Sequence, residues 1–125
     1  MSVVYDAGVL IAAESHDRRI WVDHRVRLES GIVPITTGPV VAQVSRSGHQ
    51  AQLRRFLRGC EVLPFQAAHA HTVGSLLGKA ELSDVVDAHL VVVASESRST
   101  ILTSDPDDLS QLSNRLPRPV AIRSI

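Results

Sequence analysis

The chain has 125 residues, of which 44% are hydrophobic and 21% charged, and its 13 basic and 13 acidic side chains give a formal net charge of zero. This length and composition predict one compact domain over residues 1–125 and exclude a disordered chain, while the balanced charge excludes overall steering toward nucleic acid. The single Cys60 excludes an intrachain disulfide framework, and no segment resembles a secretory signal or a membrane span. We therefore expect a soluble, cytoplasmic protein with no membrane contact.

Short β-branched runs alternate with helical stretches, which predicts an α/β fold with a largely parallel central sheet. In chain order, the pattern predicts a strand at 2–6, helices at 8–14 and 17–30, a strand at 32–36, helices at 39–46 and 50–58, a strand at 60–65, helices at 66–78 and 84–97, a strand at 100–104, a helix that starts near Asp105, and a strand at 120–125. Pro34 suits an edge position or a strand start. The run 90–93 has strand propensity, but the length of 84–97 favours a buried helix, with Ser83 as its N-cap.

Four aspartates lie at the edges of apolar elements, where an unpaired carboxylate is destabilising. Asp6 ends the first strand, Asp84 and Asp87 open the helix 84–97, and Asp105 ends the fourth strand. Ligands of parallel sheets bind beyond the carboxyl ends of the strands, and the i, i+3 spacing places Asp84 and Asp87 on one helix face. Clustered carboxylates are typical of sites for Mg²⁺ or Mn²⁺, so we expect one shared acidic pocket.

Each of these carboxylates also has a purely structural interpretation. Asp105 could be the N-cap of the helix that follows it, and Asp84 could favour the dipole of its own helix. Asp6 could cap the helix that begins near Gly8, and Asp87 could be a lone charge on an apolar helix. The coincidence of all four at element edges favours the shared site over these separate explanations.

A basic stretch lies between the second and third predicted strands, at Arg46, His49, Arg54, Arg55 and Arg58. It could contact a nucleic-acid backbone, or it could be a solvated helix face, which is the more common role of such stretches.

The ordered motifs resemble the PIN-domain family, in particular the small VapC-type toxins. Residues 3–11 (VVYDAGVLI) are similar to the family's first strand and first acid, 87–94 (DAHLVVVA) to its central helix, and 102–109 (LTSDPDDL) to its closing motif. The resemblance covers nearly the whole chain in the family's order. It implies a PIN-like three-layer fold with a central, mainly parallel sheet flanked by helices.

The resemblance also implies a metal-dependent ribonuclease that cleaves RNA with a water activated by Mg²⁺ or Mn²⁺. By position, Asp6, Asp87 and Asp105 are the acid set, and Asp84 is an additional acid one turn earlier. From their place in the closing motif, Asp107 or Asp108 would be peripheral, and Thr103 and Ser104 could orient a ligand or a water. A VapB-like antitoxin and a homodimer are further expectations from the family.

One position departs from the family, which usually has a glutamate in the helix after the second strand. Residues 39–46 (PVVAQVSR) place Gln43 there, and an amide can ligate a metal through its oxygen but adds no charge. Asp84 supplies the lost charge, or the metal binds less tightly, or the chain is a degenerate PIN domain that acts as a non-catalytic RNA- or protein-binding module. Glu14 could also lean toward the site. A receiver-like domain is less favoured, because the strand 60–65 carries no phosphoacceptor aspartate.

Overall fold

Five short strands and seven helices alternate along residues 2–125, which are the residues described by the computed structural model. The strands are β1 (Val3–Tyr5), β2 (Ile35–Thr37), β3 (Glu61–Leu63), β4 (Thr100–Thr103) and β5 (Ile122–Ser124). The helices are α1 (Ala7–Glu14), α2 (Arg18–Glu29), α3 (Gly38–Val44), α4 (Ala51–Leu57), α5 (Ala67–Ala80), α6 (Val85–Ser97) and α7 (Asp107–Ser113). Each predicted element is present, and most strands are shorter than the apolar runs that contain them.

The strands form one sheet in the order β3-β2-β1-β4-β5, and every pair is parallel. The predicted α/β class with a parallel central sheet is therefore confirmed. Pro34 lies just before β2, and its carbonyl accepts a hydrogen bond from the Glu61 backbone N–H at 2.8 Å. Since β2 is an interior strand, the edge position considered for Pro34 is wrong. At the strand start a proline removes no ladder hydrogen bond from the neighbouring strand.

The helices pack in two groups that both contact the central strands β1 and β4. Helix α1 packs against α2, α3 and α4, whereas α6 packs against α5 and α7. Every side chain from Ala88 to Ala94 of α6 is buried. This burial on all sides explains the continuous apolar run of α6, and it shows that tertiary packing overrides the strand propensity of residues 90–93.

The order of the strands in the sheet changes direction at β1, so that successive strands lie first on one side of β1 and later on the other. From β1 the chain proceeds outward to β2 and β3, and it later returns to the other side of β1 with β4 and β5. Such a switch point leaves a crevice beyond the carboxyl ends of the two central strands. Asp6 follows β1 and Asp105 follows β4 closely, so the topology brings both acids to this crevice.

A buried polar chain attaches α2 to the end of β1. The Tyr5 hydroxyl lies 3.0 Å from Nδ1 of His24, and Nη1 of Arg27 donates to the same hydroxyl oxygen at 3.2 Å. The His24 ring stacks on Phe56 with centroids 4.0 Å apart. Because Arg27 can only donate, the phenol proton is directed to His24, and burial lowers the pKa of that neutral imidazole.

No helix within residues 2–125 is both long enough and apolar enough to cross a membrane.

Candidate metal and active site

The Asp6 carboxylate is oriented by β4. Asp6 occupies the N-cap position of α1, yet its side chain makes no capping hydrogen bond. Instead, Oγ1 of the fully buried Thr103 donates to Oδ2 of Asp6 at 2.8 Å, and the Asp6 backbone N–H donates to the Leu102 carbonyl at 3.1 Å. Helix capping therefore does not explain this nearly buried carboxylate, which is held by a dedicated hydroxyl in the switch-point crevice.

Thr103 also connects Asp6 to Asp105. Its Oγ1 accepts a hydrogen bond from the Asp105 backbone N–H at 3.0 Å while it donates to Asp6. Helix α7 begins only at Asp107, after Pro106, so Asp105 is not the N-cap considered for it. The first turn of α1 lies close against the same loop. At Gly8 the approach is so close that a Cβ there would lie 2.1 Å from the Ser104 hydroxyl oxygen. Only a glycine permits this approach.

Asp84 and Asp87 stand at the start of α6 in unequal roles. Asp84 is the N-cap, a place predicted for Ser83, and its Oδ1 accepts a hydrogen bond from the Asp87 backbone N–H at 3.1 Å. The exposed Asp84 thus has a structural function that Asp87 lacks. Asp87 lies in the first turn of the helix, partly buried, directly before the fully buried segment.

The electrostatics identify the aspartates as one group centred on Asp87. Burial, and then the negative charges of Asp84, Asp6, Asp108 and Asp105 in decreasing order, together raise the pKa of Asp87 to about 7. The structure thus places the other three predicted aspartates close enough to Asp87 to raise its pKa. It adds Asp108, which the sequence suggested only as peripheral. Its place in the first turn of α7 was the available signal.

Gln43 and Glu14 are the remaining residues considered for the site. Gln43 is exposed in the last turn of α3, which packs against α6, and none of the hydrogen bonds found within residues 2–125 engages its amide. Oε2 of Glu14 accepts a hydrogen bond from the Leu53 backbone N–H at 2.6 Å, near the start of α4. The expectation that Glu14 leans toward the acids is therefore wrong, because this carboxylate stabilises a helix terminus.

The acid group fits a hard divalent cation by its chemistry. Its donors are carboxylate oxygens, and their mutual repulsion is the condition that a bound cation would relieve. Within the described part of the chain, no three Asp, Glu, His or Cys side chains form a ready-made metal cage. Mg²⁺ does not require such a set, because it is commonly held by one or two carboxylates and completes its shell with water and phosphate oxygens.

The basic stretch before β3 is used largely within the fold. Nη1 of Arg46 donates to the carbonyls of Ala42 and Ser45, at 3.3 and 2.8 Å, and so satisfies the end of α3. Arg55 lies over the Trp21 ring, 4.4 Å from its centroid. These contacts favour the solvated-face interpretation of the stretch. Cys60 is equally inert, because burial raises the pKa of its thiol to about 12.

No protein-family model matches the chain, and no curated protein sequence matches it. Solved structures do resemble it. VapBC2 from Rickettsia felis, solved bound to a DNA fragment from its promoter, matches with a TM-score of 0.70 and 16% identity over 100% of this chain and 99% of that chain. FitAB bound to an IR36 DNA fragment matches with a TM-score of 0.67 and 16% identity over 98% and 94% of the two chains.

FitAcB from Neisseria gonorrhoeae is similar as well, with a TM-score of 0.62 and 17% identity over 96% of this chain and 95% of that chain. At such identities the likeness concerns the fold, and it spans nearly the full length of both partners. The resemblance noted in the ordered sequence motifs is therefore confirmed in three dimensions: the chain has the PIN-like fold shared with VapBC2 and FitAB structures.

Proposed function

We propose that this chain is an endoribonuclease that depends on Mg²⁺ or Mn²⁺ and acts as the toxin component of a type II toxin–antitoxin pair in the cytoplasm. The observation that carries the proposal is the group of carboxylates around the partly buried Asp87, where burial and these charges together raise the pKa of that residue to about 7. Perturbed acids in a switch-point crevice are typical of functional sites. The fold likeness to VapBC2 and FitAB supports the toxin–antitoxin assignment.

Asp6, Asp87 and Asp105 would hold the cation, and Asp84 would add negative charge from the N-cap of α6. A bound divalent cation supplies an activated water and offsets the charge that develops on a phosphoryl group. Thr103 holds Oδ2 of Asp6 through a hydrogen bond, which would orient the carboxylate for a cation that binds its other oxygen. With a pKa of about 7, Asp87 is only partly ionised at neutral pH and would release its remaining proton as a cation binds.

Cleavage of a labelled single-stranded RNA in the presence of Mn²⁺ tests the proposal. We expect product from the wild-type chain, none after addition of a chelator, and none from Asp6→Asn or Asp87→Asn. Asp107→Asn is the matched control, because Asp107 is an exposed acid of the neighbouring helix α7 and the proposal gives it no role. Cleavage that survives both site substitutions would end the assignment.

Gln43 favours a second function from another class, a degenerate PIN domain that binds RNA or protein without cleaving it. The amide contributes no charge where the family usually has a carboxylate, and Gln43 is exposed on α3. Calorimetric titration with Mn²⁺ separates the two functions, because the binding module predicts no heat of metal binding. In the nuclease, Gln43→Glu should tighten the binding of Mn²⁺.

The partners follow from the proposed function. A VapB-like antitoxin would occupy the acidic crevice with a basic side chain, since the local charge favours a cation there. A homodimer is expected as well. Co-purification of the tagged chain from its native host, followed by light scattering, checks both partners; a monomer without a small bound protein would contradict them.

A further inference from the structure

A small cavity lies between α2 and β5, and part of its wall is joined to the acid site through the backbone. Its volume is 170 Å³, enough for several water molecules, and Val9, Leu102 and Ile125 contribute to its wall. The backbones of all three are hydrogen-bonded to the site: Val9 N–H donates to the Asp6 carbonyl at 3.1 Å, Asp6 N–H to Leu102 at 3.1 Å, and Ile125 N–H to Thr103 at 2.9 Å. These backbone hydrogen bonds connect the wall of the cavity to Asp6 and Thr103.

Three arginines, Arg19, Arg27 and Arg123, line this cavity, and Asp23 is the one acidic side chain in its lining. Within residues 2–125, the one ion pair joins His69 to Glu96, so no carboxylate pairs with any of the three guanidinium groups. Arg27 donates a hydrogen bond to the Tyr5 hydroxyl at 3.2 Å, which fixes the position of its guanidinium group. Three unpaired arginines in one cavity form a site with a net positive charge.

Such a site has the chemistry of a phosphate receptor. Guanidinium groups bind phosphate oxygens through paired, charge-assisted hydrogen bonds, and they lose less hydration than an ammonium group does. The adjacent carboxylates repel an RNA strand, so a strand that reaches them needs a cationic contact close by. The neutral net charge of the chain means that this contact has to be local.

We propose that this arginine pocket, formed by Arg19, Arg27 and Arg123, binds a backbone phosphate of single-stranded RNA next to the phosphate that lies at the acid group. The inference rests on the proposed function and adds positioning residues to it. Arg19 and Arg123 hold the strand in register, and Arg27 links the pocket to Tyr5, the residue before Asp6. The pocket reads the backbone and not the base sequence.

The test measures binding without cleavage. A fluorescein-labelled 2′-O-methyl oligoribonucleotide is titrated with the full chain in EDTA, and anisotropy is recorded over a series of KCl concentrations. Arg19→Gln and Arg123→Gln should each weaken binding about 10-fold, and the double variant should lower the slope of log K against log salt by about 1 to 2. Both residues are exposed, and circular dichroism checks that the variants are folded.

Arg118→Gln is the matched control, because Arg118 is an exposed arginine beside Thr100, at the opposite end of β4. It should leave both affinity and salt slope unchanged. An equal loss of RNA affinity in Arg19→Gln, Arg123→Gln and Arg118→Gln would overturn the pocket. The absence of RNA binding by the wild-type chain would overturn it as well. A thermal shift caused by inorganic phosphate in the wild type, with RNA binding unchanged in the variants, would assign the pocket to a free anion and also overturn the inference.

Failure of the pocket and failure of the proposed nuclease remain distinguishable. A chain that binds RNA through Arg19 and Arg123 but never cleaves it with Mn²⁺ refutes the nuclease and retains the pocket. A chain that cleaves RNA with the same KM in the wild type and the double variant refutes the pocket and retains the nuclease. If both hold, the double variant raises KM and leaves kcat close to that of the wild type.

Discussion

Replacement of Asp87 by asparagine should stabilise the protein at pH 8. The folded state raises the pKa of Asp87 from 3.8 to about 7, through burial and then through neighbouring carboxylates. The folded state therefore binds this proton more tightly than the unfolded state does. Between pH 4 and pH 7 the free energy of unfolding falls as pH rises, and above pH 7 the full penalty of the ionised carboxylate is present. Asparagine is neutral at every pH and avoids that penalty.

The size of the effect follows from the pKa change. Each tenfold change in proton affinity corresponds to about 1.4 kcal/mol, so the displacement from 3.8 to about 7 amounts to about 4 kcal/mol before solvent screening. Asp87 is only partly buried, and screening by water reduces this figure to about 2 kcal/mol. Asp87→Asn should thus raise the free energy of unfolding by about 2 kcal/mol at pH 8, and the gain should vanish as pH falls toward 4.

Urea denaturation in EDTA, at intervals from pH 4 to pH 8, measures this difference. Asp107→Asn is the control, because this exposed acid should change stability by less than about 0.5 kcal/mol at any pH. The reasoning is refuted if Asp87→Asn destabilises the protein at pH 8, or if its effect is the same at both ends of the range. Either result would mean that burial and the neighbouring carboxylates do not raise the pKa of Asp87 in the folded chain.

Three further substitutions test other parts of the fold. Thr103→Val should destabilise the protein by about 2 kcal/mol in urea denaturation, because Asp6 and the following loop lose a buried hydroxyl, whereas Thr103→Ser should retain most of the stability. Glu81→Gly should stabilise it by about 1 kcal/mol, since Glu81 ends α5 with φ of 55°, and an equally stable Glu81→Ala would contradict the strain. Gly8→Ala should lower the thermal midpoint through a clash with Ser104, and Ser104→Gly in the same chain should recover it; no recovery would locate the clash elsewhere.

The element types were predictable from the sequence because their signals are local. Apolar runs with β-branched residues marked the five strands, and the length of 84–97 correctly decided that α6 is a helix. Boundaries were less accurate, since a strand ends where its hydrogen-bonded partner ends. Residues 60–65 read as one strand, but only Glu61–Leu63 pairs with β2.

The interactions across the site were not predictable, because they join residues that are distant in the chain. Arg46 was a candidate for RNA contact, yet it completes the end of its own helix. The arginine pocket was not predictable, because Arg19 follows Arg18 near the start of the sequence, Arg123 lies near its end, and only folding brings the two to one cavity. Glu14 shows the same limit, since its partner on α4 becomes a neighbour only after folding.

The sequence by itself determined the α/β architecture and the choice of the four aspartates as candidate site residues. Alternating apolar runs specify strands and helices, and an unpaired carboxylate at the edge of such a run is destabilising. Only the tertiary structure decided how these acids differ. The packing of β4 beside β1 turned the Asp6 side chain toward Thr103, and the start of α6 used Asp84 as a cap. Burial and the charges of the other aspartates then raised the pKa of Asp87. Charge interactions depend on distances in space, and the spacing of residues along the chain does not give those distances.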